Sequence, residues 1–250
     1  MARLHSPPMP ASESGVAVTG GAAKRAYVRG IFTAIAPRYD LLNHLLSLNV
    51  DRRWRRQAVR LLGWDRAPEG LYLDLCAGTL DLAATLGSAP GFRGRVIGLD
   101  FVRPMLELGR HKSAAVLPLN ADALELPFAD QVFDGATVGF GVRNLADLDT
   151  GLQEALRVLK PGARLVILEF TTPKRQPLRG LYLFYFRRML PLIGRLVSKH
   201  RSAYSYLPES VLSFPEPDAL AARMRTAGFT DVSYQRLFGG VCALHLGTRA

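Results

Sequence analysis

Cysteine is scarce, with only Cys76 and Cys242 in 250 residues. Two such thiols exclude a disulfide framework and give no metal-ligand spacing, so no metal site is expected and the reducing cytosol is the expected compartment. Long apolar runs are also missing. None reaches the ~18 residues a membrane-spanning helix needs. The opening MARLHSPPMPASESG has no apolar core of a secretory signal. Its Pro, Ser, Gly and Ala content instead marks residues 1–23 as a disordered tail, with little to support an organellar transit peptide. Acidic residues are in deficit, 21 against 32 Lys+Arg, for a net charge of +11. That surplus favours anionic partners such as nucleic acid, phospholipid headgroups or acidic ligands. A composition bias toward Arg would produce the same surplus.

What is present reads as one domain over residues 24–250, without internal repeats or a linker between two cores. Hydrophobic residues make up 48% of the chain, enough for a proper core. Residues 24–63 carry apolar positions at three- and four-residue spacings and read as helical, with Gly63 as a stop. From Leu71 the texture changes. LYLDL, RVIGLD, AVLPL, FDGATVGF and RLVILEF read as buried parallel strands, separated by helices at LDLAATLG, RPMLELGRHK and DTGLQEALRVL. Such alternation predicts an α/β, Rossmann-like, doubly wound and mostly parallel sheet. Residues 172–214 interrupt it with a basic, aromatic, helical insertion. PEPDALAARMRTAG then reads as a helix, and TDVSYQRL and VCALHLGT as an antiparallel C-terminal hairpin.

The first strand runs into LDLCAGTLDLA. Ligands of open α/β sheets bind beyond the carboxyl ends of strands, which places a cofactor over the Gly78-Thr79 turn. Gly78 permits close backbone approach. Asp100 ends the second strand and suits the ribose hydroxyls of an adenosine-containing ligand. Asp122 and Ala123 follow the third strand, where an adenine would lie, with a loop cap as the lesser alternative for Asp122. A-G-T-L-D-L-A lacks the further glycines of G-x-G-x-x-G, which disfavours a pyrophosphate-bearing dinucleotide and favours S-adenosylmethionine. Cys76 reads as a small packed side chain.

Several stretches resemble the ubiquinone/menaquinone biosynthesis C-methyltransferase family, from about Val28 to Thr248. YDLLNHLLSLNVDRRWRR is similar to its Y-D-x-x-N-x-x-x-S-x-G-x-x-R-x-W-[KR] signature, and RVLKPGARLVILEF to R-V-L-K-P-G-G-R-x-x-x-L-E-F. FGVRN and AYSYLPESV match two further segments. Asn49 replaces a family glycine, which is tolerable because Asn accepts positive φ. Ala163 replaces the second glycine of K-P-G-G, Gly139 a frequent serine, and Leu80 a frequent glycine. The resemblance implies a class I methyltransferase fold and S-adenosylmethionine contacts from Thr79, Asp100, Asp122 and Ala123. It also implies C-methylation of a polyprenylated quinol, with demethylmenaquinol as the expected acceptor. The benzoquinol intermediate of ubiquinone biosynthesis, or both, is the alternative, followed by another lipophilic phenol or sterol.

In that reading residues 24–63 form a lid, and Tyr39 hydrogen-bonds the acceptor ring. Asn43 and His44 lie on the same segment, His44 as a surface or packing residue. Arg143 and Asn144 of FGVRN face the acceptor, Arg143 stabilising a phenolate, although pairing with Glu169 would serve it equally. Between Phe170 and Pro208 there are eight Lys or Arg and no acid, interleaved with LYLFYFRRMLPLIGRLV. A stripe of Arg188, Arg195 and Lys199, kinked at Pro191, suits an anionic membrane surface on the inner face of the cytoplasmic membrane. A dimerisation helix giving a homodimer suits it equally. An RNA-binding protein or RNA methyltransferase ranks lower, because the basic residues accompany large apolar side chains and not a polar groove with stacking platforms, so no nucleic acid is expected.

Overall fold

The computed structural model describes residues 21–40, 47, 49–189 and 201–250. The first helix, α1 (Gly21–Ile35), begins three residues earlier than the expected tail boundary, because Ala22 and Ala23 extend the helix. The expected tail over residues 1–20, Asn43, His44 and the stripe residues Pro191, Arg195 and Lys199 lie outside the described residues. Helix α2 (Val50–Leu62) buries Trp54, Ala58, Val59 and Leu62 along one face. Asn49 before it is left-handed at φ 60°, as its replacement of glycine anticipates, and Gly63 ends it at φ 72°.

Seven strands form one sheet in the order β3-β2-β1-β4-β5-β7-β6. They are β1 (Leu71–Leu75), β2 (Arg95–Asp100), β3 (Val116–Asn120), β4 (Phe133–Gly139), β5 (Leu159–Phe170), β6 (Phe229–Leu237) and β7 (Cys242–Arg249). The first five are mutually parallel, and β7 runs antiparallel between β5 and β6. Short helices α3 (Asp81–Gly87) and α4 (Arg103–Gly109) and the longer α5 (Leu148–Val158) supply the crossovers. Asp147 caps α5 by accepting from the backbone N–H groups of Asp149 and Thr150.

The strands read as unbroken apolar runs because both sheet faces are covered. Leu73, Leu165 and Ile167 face a core closed by α5 and by α8 (Pro217–Ala227). Tyr72, Val166 and Leu168 alternate onto the opposite core under α2 and α3. The insertion is helical where described: α6 (Leu178–Phe184), a π-helical turn at Tyr185–Met189, and α7 (Arg201–Ser213). Buried Tyr182 of α6 and Val211 of α7 pack together over the β5–β7 end of the sheet. None of the described helices is long and apolar enough to cross a membrane.

The strand order reverses between β1 and β4, where the crossovers leave in opposite directions. A crevice opens above their carboxyl ends at such a switch point.

Candidate functional site

Backbone strain concentrates at that crevice. Cys76, Leu80 and Phe140 hold positive φ without being glycine, and Gly78 between the first two sits at φ 53°. Left-handed backbone costs an L-residue about 1–2 kcal/mol, so something must hold it. Leu80 is held by its side chain, which is fully buried. A Cβ on Gly98 of β2 would lie 2.3 Å from Leu80 Cδ2, so the bare glycine is the slot that receives the leucine.

The result is a cleft lined by Gly78, Asp100, Asp122, Ala123, Tyr39 and Asn144, among others. A mostly apolar lining with a few convergent polar groups suits a nucleoside-bearing ligand. Asp100 is buried, and its carboxylate accepts 2.8 Å bonds from the backbone N–H groups of Gly78 and Val102. Burial pushes its pKa upward against those stabilising bonds. Asp122 accepts from Leu124 N at 3.0 Å, the loop cap anticipated as its alternative role, while still lining the cleft. Phe101, Val102 and Met105 give the cleft an apolar wall that a flat aromatic base can stack on.

The roof is α1. Val28 and Phe32 line the cleft from above, and Tyr39 packs edge-on against Phe32 with ring centroids 5.8 Å apart. Three cationic side chains clasp the helix to the strand-end loops. Arg25 pairs with Asp122 at 3.1 Å, and Lys24 Nζ donates to the carbonyl of Leu145 at 2.6 Å. Arg29 lies over the Phe101 ring at 5.5 Å. None of the three was legible in the sequence, because each bridges residues more than seventy positions apart.

Thr79 is placed differently from Gly78. Its buried hydroxyl donates to Asp40 and faces a small side chamber that shares Tyr39, Cys76, Gly78, Gly139 and Phe140 with the cleft. Arg55, Asp74 and Asp81 also line that chamber. Lys112 Nζ donates 2.6 Å bonds to both Asp40 and Asp81, and Arg55 pairs with Asp51 and, at 3.2 Å, with Asp81. Asp74 accepts from Thr137 Oγ1 at 2.7 Å and Ala83 N at 2.9 Å, so it braces β1 against β4 and α3. Its burial raises its pKa to about 7 despite both bonds.

Asn144 reaches the cleft, and its side-chain carbonyl accepts from Tyr206 OH at 2.9 Å. Arg143 does not line the cleft. Its buried guanidinium turns inward to Glu169 Oε1 at 2.7 Å, the Phe140 carbonyl and, at 3.4 Å, Ser210 of α7. Burial alone acts to lower its pKa, but Glu169, with Tyr39 and Tyr206, raises it, so the guanidinium stays charged. Of the two roles the sequence allowed Arg143, this geometry is the pairing with Glu169. Cys76 lines the cleft at intermediate exposure, and burial pushes its thiol well up. Sequence reading gave Arg55 and Met105 no role in the site. The signal for Arg55 was its place at the end of the R-x-W-[KR] signature, on a face of α2 that also buries Asp51.

Comparisons with known proteins fit this architecture. The model of the ubiE/COQ5 methyltransferase family matches residues 21–249. A Thermus thermophilus demethylmenaquinone methyltransferase is 51% identical over 88% of this chain and 100% of its own length. A ubiquinone/menaquinone biosynthesis C-methyltransferase from a Geobacter species is 46% identical over 89% of this chain and 96% of its own. Among solved structures, a Thermotoga maritima S-adenosylmethionine-dependent methyltransferase superposes with a TM-score of 0.62 at 22% identity, covering 89% of this chain and 100% of that one. A [4+2]-cyclase shares the fold at a TM-score of 0.58 and 15% identity, covering 79% and 80% of the two chains, so the fold by itself does not name the chemistry.

Proposed function

The chain belongs to the ubiE/COQ5 methyltransferase family, and from that premise we propose that it methylates a ring carbon of a polyprenylated quinol, demethylmenaquinol in first place. It is an S-adenosylmethionine-dependent enzyme of the class I fold. One observation carries the reading. The cleft joins Asp100, Asp122 and Ala123 at its nucleoside end to Tyr39, Phe32 and Asn144 at its aromatic end, in one continuous space.

The residues fit the donor: a buried carboxylate for ribose hydroxyls, an apolar wall for adenine, and a turn at Gly78 where no side chain intrudes. S-adenosylmethionine supplies an activated methyl on a sulfonium, which leaves the protein to align the acceptor, exclude water and manage the acceptor's hydroxyl proton. Val28 and Phe32 of α1 close the cleft against water. The side-chain carbonyl of Asn144 is held by Tyr206, which leaves its NH2 to donate to an acceptor oxygen. Tyr39 presents its ring at the junction of cleft and side chamber. A permanently charged Arg143 cannot act as the base. It fixes the turn carrying Asn144 and adds positive potential behind an acceptor phenolate, so it is a positioning residue.

Demethylmenaquinol stands first because the relative at 51% identity bears that activity in its name, and relatives named for both quinones make the benzoquinol the second acceptor. Incubation with labelled donor and each demethylated quinol tests this. Methylated naphthoquinol is expected. Donor binding without transfer to either quinol would overturn the acceptor assignment.

A polyprenyl substrate must be met at a lipid surface. Leu181, Phe184, Met189 and Phe238 are 64%, 59%, 44% and 66% exposed. Leu178 of α6 packs against Gly239 beside Phe238, which joins the insertion to the β6–β7 loop. Arg175, Arg179 and Arg188 are exposed along the same segment. An apolar face ringed by arginines suits an anionic membrane on the inner face of the cytoplasmic membrane. A second copy of the chain is the rival occupant. Co-sedimentation with anionic vesicles at moderate salt, alongside ultracentrifugation, separates the two. Failure to bind vesicles removes the membrane assignment.

A further inference from the structure

Tyr206 of α7 joins three elements that lie far apart in the sequence. It is buried, and its ring shares a small core with Val28 and Ile31 of the roof helix α1. Tyr27, also of α1, meets that ring edge-on with centroids 5.8 Å apart. The Tyr206 hydroxyl donates to the side-chain carbonyl of Asn144 at 2.9 Å. Burial pushes the pKa of that hydroxyl up to about 12, with Arg143 opposing the rise and Glu169 and Tyr27 assisting it. It therefore keeps its proton, and its donor role, across the neutral range.

The same two helices grip the turn that carries Asn144. Lys24 of α1 donates to the carbonyls of Arg143 at 3.2 Å and Leu145 at 2.6 Å, the residues on either side of Asn144. Ser210 of α7 accepts from Arg143 Nε at 3.4 Å. The roof thus holds the backbone of the turn, and α7 holds its side chains. Val28 and Ile31 are the buried residues of α1, and Val28 also faces the cleft, so the roof has little core of its own. Tyr206 supplies apolar surface for that face to close on. Helix α7 is anchored elsewhere, by Val211 against Tyr182 of α6. Tyr206 does not line the cleft, so any effect it has on the acceptor passes through Asn144.

Resting on the acceptor contact assigned to Asn144 above, we propose that Tyr206 is a positioning residue that makes closure of the roof and aiming of the Asn144 amide one event. Its ring packs only against a lowered α1, and its hydroxyl fixes which end of the amide faces the cleft. With α1 lifted, Tyr206 loses its packing on that side and Lys24 leaves the turn. The amide is then no longer held with its NH2 toward an acceptor oxygen. With α1 down, both grips return together. The acceptor is thus oriented over a donor that is already enclosed, which is the alignment methyl transfer needs.

Kinetics and calorimetry on Tyr206→Phe and Tyr206→Leu test the coupling, with labelled donor and a short-tailed demethylmenaquinol as acceptor. Tyr206→Phe keeps the ring and loses the hydroxyl. It should lower kcat about tenfold, as loss of one hydrogen bond implies. S-adenosylhomocysteine should bind it as it binds the wild type, and hydrogen exchange along α1 should not change. Tyr206→Leu loses ring and hydroxyl together. It should weaken S-adenosylhomocysteine about tenfold as well, and the α1 amides should exchange faster. In an Asn144→Ala background, Tyr206→Phe should cost nothing further in kcat, because the two residues act through one contact. Wild-type turnover in Tyr206→Phe would overturn the proposal. So would a Tyr206→Phe loss that persists in full without Asn144, or one that weakens S-adenosylhomocysteine as much as Tyr206→Leu does, since either marks a purely structural role. Undiminished kcat in Asn144→Ala is a different result: it would sink the acceptor contact of Asn144, and this inference with it.

Discussion

The donor cleft and the helical insertion sort opposite charges within one chain. Around the cleft and its chamber stand Asp40, Asp74, Asp81, Asp100 and Asp122. Along residues 170–208 there are eight basic residues and no acid. The insertion exposes its cations beside Leu181 and Phe184, whereas the cleft buries Asp100 and supplies its carboxylate with two backbone N–H donors. A net charge of +11 thus describes neither region. What distinguishes them is the partner proposed for each charge: a sulfonium nucleoside on one side, anionic headgroups on the other.

The comparison breaks most severely at Arg143, whose guanidinium is buried against Glu169. Arg143→Ala leaves Glu169 charged and unpaired, and should destabilise the fold by about 3–5 kcal/mol. Adding Glu169→Gln to it should recover part of that loss in urea denaturation. No recovery would show that the pair is not the dominant interaction. Asp100→Ala should next weaken S-adenosylhomocysteine about 100-fold by calorimetry, while vesicle binding stays at the wild-type level. A parallel loss of vesicle binding would mean the two regions are not independent. Conversely, Leu181→Glu combined with Phe184→Glu should cut partitioning onto anionic vesicles about tenfold or more, with donor affinity unchanged.

The smallest effect is a pH dependence. The folded protein keeps the Asp74 proton to about pH 7, whereas the unfolded chain releases it near the ordinary 3.8. Between those values the unfolded state binds fewer protons, so stability falls as pH rises and levels off above about 7. Asp74→Asn removes that slope. Its stability relative to wild type should climb from pH 4 to pH 7, and identical slopes would refute the assignment.

Much of this was readable before any coordinates. Parallel strands covered on both faces must be apolar throughout, so LYLDL and RLVILEF announced themselves. Asn49 betrayed its left-handed backbone by replacing a glycine. Gly78, Asp100, Asp122 and Ala123 line the cleft because strand ends fix them, and strands are legible. The C-terminal hairpin was legible too, but not that β7 would lie between β5 and β6, since local pattern does not say which arm meets the sheet. Side-chain direction was the other blind spot. Thr79 turns to Asp40 and Arg143 to Glu169, and each choice depends on a partner remote in sequence. The clasp of α1 was hidden for the same reason.

The leucine at position 80 and the glycine at position 98 constrain the order in which this chain can change. With Leu80 in place, any residue larger than glycine at 98 collides at 2.3 Å. A lineage must therefore shrink position 80 before position 98 can grow. The two sites form one volume owned by two codons, and they are expected to drift as a pair.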